Sequence, residues 1–236
     1  MEALLDSTIA TRVVLGFEVR LDRLGARLSP SWNASPVPGG PAAGANLVVL
    51  FNEALLNQDG DGGTAPDGAG PYVGFVIPAV RQTTGERASF NFKILTTHPR
   101  AIPGKYKTSA PATIRLERTL SGVNLDAVVS ESIVVTAAGG GTVTLMLRYH
   151  RGLPARVASE SRVRSVADPS ILRLYRTDEL VDVIKSAAQG VDRVDHCEFH
   201  VTVPDLADLF DGRERMVSIT TSPWYHRRVF GPAGVP

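Results

Sequence analysis

The chain has 236 residues, 43% of them hydrophobic and 21% charged, with a formal net charge of +1. The length fits one large domain or two small ones, and the balance is that of a globular chain rather than a disordered one. The near-neutral charge removes the electrostatic case for nucleic acid or an anionic membrane, and a single cysteine, Cys197, rules out a disulfide within the chain.

Residues 1–15 carry Glu2, Asp6 and Arg12 and lack the continuous apolar stretch of a secretory signal. No apolar run approaches the length needed to span a bilayer. A cytoplasmic protein with neither membrane nor nucleic acid as partner is therefore expected. With no internal repeat and no dividing linker, residues 1–236 read as a single domain.

In chain order, residues 8–20 are rich in β-branched side chains and read as a strand. Residues 21–28 place leucines at 21, 24 and 28, a short helical face stopped by Ser29-Pro30. Residues 35–44 are a loop dense in Pro and Gly. Residues 45–57 form a long apolar run that reads as a buried strand, with a helix open as an alternative over 53–57. Residues 58–71 are loop. Asp59-Gly60-Asp61-Gly62 looks a little like a calcium loop, but no glutamate follows at the bidentate position.

Residues 72–81 and 87–97 read as two strands joined by the Gly-containing residues 82–86. In the second, Phe90, Phe92 and Ile94 are expected on one face and Asn91, Lys93 and Leu95 on the other. Residues 112–120, 127–136 and 142–150 continue the strands, the last two joined at Gly139-Gly140-Gly141. Residues 153–167, polar and rich in arginine, read as a surface loop. Residues 171–175 and 179–184 are apolar segments, and 191–203 end in a strand with His196, Glu198 and His200 on one face and Cys197, Phe199 and Val201 on the other. Residues 204–210 open with Pro204 and Asp205, a helix start, and 216–230 return to strand. Many strands with few short helices predict a mainly β, antiparallel barrel or sandwich-like fold.

Most familiar chemistries fail on spacing. His196 and His200 on a strand lie about 13 Å apart, too far to share an ion, so no metal is expected. There is no Gly-x-Ser-x-Gly, and Cys197 falls on the apolar face of its strand. Gly104-Lys105 lacks the spacing of a phosphate-binding loop. What remains is an amine. The chain holds only four lysines, and two of them, Lys105 and Lys107, flank Tyr106 just after a Pro-Gly turn signal. A lysine becomes nucleophilic near neutral pH when burial or a neighbouring cation disfavours its ammonium form, and it then attacks a ketone to give an iminium. If extended, Lys105 and Lys107 point the same way about 7 Å apart.

These residues resemble the acetoacetate decarboxylase superfamily. Its hallmark is Gly-Arg-Glu-x-x-Gly-x-Pro-Lys-Lys, against which this chain sets Pro99-Arg100-Ala101-Ile102-Pro103-Gly104-Lys105-Tyr106-Lys107-Thr108. Phe51-Asn52-Glu53 is similar to the family's segment bearing an active-site glutamate, and Arg20 sits where the family has an active-site arginine. The chain departs from the pattern at Ala101, Tyr106 and Thr108, the last replacing the second lysine. The resemblance implies a closed antiparallel β-barrel or cone with an internal pocket, often in homo-oligomers. It implies Lys107, Glu53 and Arg20 as catalytic residues, with Lys105, Arg100 and Tyr106 around the substrate, and no cofactor. Two functions stand open: a decarboxylase-like enzyme forming a lysine Schiff base with a small β-keto acid or related carbonyl compound, or a non-catalytic protein of the same fold holding a small apolar ligand.

Overall fold

The computed structural model describes residues 2–65, 68–98 and 105–232. Among these, thirteen strands and one short α-helix follow in order: β1 (Glu2–Glu18), α1 (Leu21–Gly25), β2 (Trp32–Ala34), β3 (Leu47–Asp59), β4 (Pro71–Arg81), β5 (Arg87–Thr96), β6 (Ser109–Ser121), β7 (Val128–Ala137), β8 (Thr142–His150), β9 (Ala155–Ser165), β10 (Leu172–Ser186), β11 (Val191–Asp192), β12 (Val194–Val201) and β13 (Arg215–Pro232). The mainly β expectation holds.

Seven strands form a ring of pairings. β1 pairs antiparallel with β13 on one side and β3 on the other, and β3 continues to β4 and β4 to β5. From β13 the order runs through β10 to β9, which meets β5 in a short parallel seam. β6 leaves the ring from the end of β5 and starts a second, antiparallel sheet through β7 and β8 to β12.

Strand alternation divides the side chains between two interiors. Val13, Leu15 and Phe17 of β1, Leu47, Val49 and Phe51 of β3, and Val73, Phe75 and Ile77 of β4 face the second sheet. There they pack against Ile133, Val135, Val143 and Leu145 as one buried core. Phe199 and Phe210 complete it against Phe17, with ring centroids 5.0 and 5.4 Å away. The intervening residues Val48, Leu50, Asn52, Tyr72, Gly74 and Val76 face the inside of the ring.

Four expectations need correction. Residues 53–57 are strand throughout, because Ala54, Leu56 and Asn57 continue the ladder to β1. Residues 153–167 are not loop: they hold β9, whose residues 155–162 are all exposed and, among the described residues, pair with β10 alone, and the resulting polarity disguises the strand. Residues 204–210 form turns rather than a helix, with Leu206 and Leu209 amides bonding to the carbonyls three residues back. Those turns bury Leu206 and Leu209 in the core and pack half-buried Phe210 against it. In β5 the register to β4 slips between the Phe75–Lys93 and Val76–Asn91 pairs. A bulge of this kind inserts one residue and inverts the alternation beyond it. Phe90 and Phe92 therefore join the main core, while Ile94 joins Asn91 inside the ring. Cys197, Phe199 and Val201 do pack on the core, with His196, Glu198 and His200 outside.

The β7–β8 turn gives a direct test. Gly141 has φ +81°, and a Cβ there would stand 2.5 Å from the Thr202 carbonyl oxygen, whereas Gly140, at φ +97°, has open space around it. Gly141→Ala is expected to destabilise by about 3 kcal/mol, from left-handed strain and overpacking together, and Gly140→Ala by about 1 kcal/mol from strain alone. Urea unfolding of the two variants measures the difference.

Candidate functional site

Inside the ring lies a cavity of about 230 Å³. Its polar wall is supplied by inward positions of all seven ring strands and by Tyr106, among them Arg12 of β1, Asn52 of β3, Tyr72 of β4, Asn91 of β5, Ser161 of β9, Tyr175 and Glu179 of β10, and Tyr225 and Arg227 of β13. Arg12 and Glu179 form a salt bridge at 2.5 Å, with Glu179 also accepting from Ser222 at 2.7 Å. The Arg12 guanidinium lies 4.0 Å from the centre of the Tyr225 ring.

Arg227 is different. It is 6% exposed, stacks 4.8 Å from the centre of Tyr175, and makes no ion pair among the described residues. Its Nη2 donates to Thr8 at 3.3 Å, but its Nε has no hydrogen-bond partner. Burial opposes its charge, yet the tyrosines around it and Asp6 favour that charge and hold the group well above its usual pKa. The Tyr72 hydroxyl, also buried, has no hydrogen bond of normal geometry either, although Arg227 is close enough to act on it electrostatically. Orphaned buried donors of this kind cost roughly 1–3 kcal/mol each in a protein interior.

Tyr106 reaches into the same cavity and donates to the Tyr175 hydroxyl at 2.5 Å. Burial, reinforced by Tyr175, pushes its own pKa well above the usual tyrosine value, so it is a neutral hydrogen-bonding group. The backbone explains why Tyr106 points in. Lys105 and Lys107 both take left-handed conformations, φ 48° and 59°, so the segment is kinked on each side of Tyr106 instead of extended. Asn124 is the one other non-glycine with positive φ among the described residues. Ser165 donates to the Tyr106 carbonyl at 2.5 Å and Ile94 to the Thr108 carbonyl at 3.0 Å, fixing the kink. Strain held in this way by surrounding contacts is common where a side chain must be aimed.

Of the sequence-based candidates among the described residues, the structure thus brings only Tyr106 to the cavity. Lys107 is 68% exposed and bonds Asp168 at 2.8 Å. Lys105 is exposed. Arg20 is exposed and bonds Asp22 at 2.6 Å. Glu53 lies on the face of β3 opposite Asn52, accepting from Thr11 at 3.1 Å and Arg118 at 3.5 Å. That face borders a second cavity, of about 280 Å³, whose wall includes Thr11, Arg118, Glu131 and Tyr149. Arg100 lies outside the described residues. The other two lysines are tied to surface carboxylates, Lys93 to Asp205 and Lys185 to Asp192. Arg227, Tyr72 and Asn52 were missed in the sequence, though Arg227 keeps step with buried Tyr225 and Val229, an alternation that marks an inward arginine.

Ring, second sheet and internal cavity together are the fold of acetoacetate decarboxylase-like proteins. Solved structures carry that comparison. An acetoacetate decarboxylase-like enzyme from Sphingomonas wittichii RW1 superposes with a TM-score of 0.60 at 15% identity, covering 97% of this chain and 91% of its own. The enduracididine biosynthesis enzyme MppR, complexed with pyruvate, gives 0.55 at 9%, covering 97% and 88%. Acetoacetate decarboxylase from Legionella pneumophila gives 0.53 at 13%, covering 98% and 86%. No family model matches the sequence, and no curated protein matches it. Among the described residues no helix is long and apolar enough to cross a membrane.

Two outcomes follow. Removing one partner of a buried ion pair strands the other, at about 3–5 kcal/mol. Glu179→Ala is expected to lose that much in denaturant unfolding, and Arg12→Met combined with Glu179→Leu to recover most of it. At the surface, the Lys107 ammonium, helped by Ser170, holds the Asp168 carboxyl down to about 2. Its stabilising contribution is complete above the unfolded value of about 3.9 and fades as pH falls toward 2. Lys107→Met is expected to move the Asp168 titration upward, read by NMR of the carboxyl carbon. An unchanged titration would mean that the contact is absent in solution.

Proposed function

We propose that the ring of paired strands acts as a closed barrel around a binding site for a small carbonyl compound bearing a carboxylate. Arg227 and the Tyr72 hydroxyl receive the anion, and Tyr106 with Tyr175 faces the carbonyl oxygen as neutral hydrogen-bonding groups. The observation that carries this reading is a buried guanidinium with an unused Nε beside an unused hydroxyl, lining a cavity of about 230 Å³. The binding alternative is thereby favoured over Schiff-base chemistry, and its ligand is anionic rather than purely apolar. None of the four lysines lines the cavity. Lys107, in solvent against a carboxylate, lacks the dry surroundings that activate an amine. The pyruvate complex of MppR, a protein of similar fold, agrees with a ligand of this size and charge.

Pyruvate is the first probe. Calorimetric titration is expected to show binding that Arg227→Gln weakens about tenfold to a hundredfold, the scale of a lost charged hydrogen bond. Tyr72→Phe, which removes only a hydroxyl, is expected to weaken it less, with thermal melts confirming that both variants fold. Borohydride added with pyruvate should leave every lysine unlabelled. A stable adduct on Lys107 would overturn the reading and restore the Schiff-base enzyme.

A further inference from the structure

The ring is not equally deep all round. β5 and β9 are joined by three parallel pairs only, Ser89–Val163, Phe90–Arg164 and Asn91–Ser165. Beyond Ser89 the two strands part. Residues 155–162 of β9 pair with β10 on one side and with no described strand on the other. A polar groove of about 400 Å³ occupies this gap, with Pro38, Pro78, Arg87, Glu160, Arg162 and Leu174 in its wall. Ser89 and Ser161 line both the groove and the cavity inside the ring. Ser161 is exposed, although its side of the strand faces the cavity.

We infer that this groove is the vestibule through which an anionic ligand reaches the cavity, and that Arg87 and Arg162 draw the anion in. The inference rests on the binding reading above. Glu160, the carboxylate in the groove wall, is already held by Arg176 at 3.0 Å. Arg87 and Arg162 are exposed and form no ion pair among the described residues. Just behind the groove, Glu86 is shared between Arg81 at 3.1 Å and Arg164 at 3.3 Å, so that cluster also carries an excess of positive charge. A concave surface of one sign concentrates field lines and raises the arrival rate of opposite charges by about tenfold to a thousandfold. The cation inside, Arg227, then retains what the outer pair delivers. Charge selection thus occurs twice, first in the rate of arrival and then in the strength of holding.

The test separates those two stages. NMR line-shape analysis of a pyruvate titration yields association and dissociation rates for the wild type and for the double variant Arg87→Gln, Arg162→Gln, both positions lying outside the cavity wall. At low ionic strength the variant is expected to associate about threefold to tenfold more slowly, with dissociation little changed. The difference should shrink as salt shortens the screening length below about 10 Å. Acetone, an uncharged ketone, should show no difference between the two proteins. Pyruvate that binds both proteins at the same rate, with the same salt dependence, would overturn the vestibule and leave the cavity reading standing. Pyruvate that fails to bind the wild type would overturn both.

Discussion

Over their central residues the ring strands β1, β3, β4 and β5 are buried or half-buried on both faces, and the rest of the architecture follows from that constraint. One face of each builds the dry core against the second sheet, and the other walls a cavity. A strand with two interiors cannot show the apolar-polar alternation of a half-solvated sheet, so it reads as a nearly continuous apolar run. Residues 45–57 and 72–81 have that character, and they were recognised as strands for that reason.

The same property hides the site. When both faces are apolar, composition does not say which of two adjacent residues looks inward. Asn52 and Glu53 are neighbours, yet Asn52 lines the cavity inside the ring and Glu53 lies on the opposite face, bonded to Thr11. In the lysine-bearing stretch the two left-handed residues reverse the expected parity: Tyr106 turns in, and Lys105 and Lys107 turn out. The mainly β class was therefore legible from strand-like runs and turns, and the family resemblance pointed to the stretch that carries Tyr106. Bulges, kinks and face assignment were not legible, because they depend on contacts far away in the chain. Phe92 makes the point in β5, where one inserted residue sends Ile94 to the other interior.

Chemically, the cavity wall presents a guanidinium surrounded by phenols, and no lysine lines it among the described residues. An arginine cannot surrender its proton in a protein, so it cannot serve as a carbonyl nucleophile; it can only hold and orient an anion. A shared fold does not settle the chemistry, since the architecture fixes where inward side chains meet and not which side chains they are. Here the inward set favours recognition: donors with fixed positions, a charge that does not vary with pH, and tyrosines kept neutral by burial.

The charges of β9 have a second meaning. They made residues 153–167 look like loop, yet they lie on a strand whose outer backbone edge is open over residues 155–162 among the described residues. An open edge is a template on which another molecule's strand can add, and flanking charge is a common protection against it. Arg156, Glu160 and Arg162 supply that protection, and Asp178 and Arg176 on the neighbouring strand hold the first two in place. The short β5–β9 seam that leaves the groove beside β9 would otherwise expose an edge to self-association, and the polarity of this one strand guards against it.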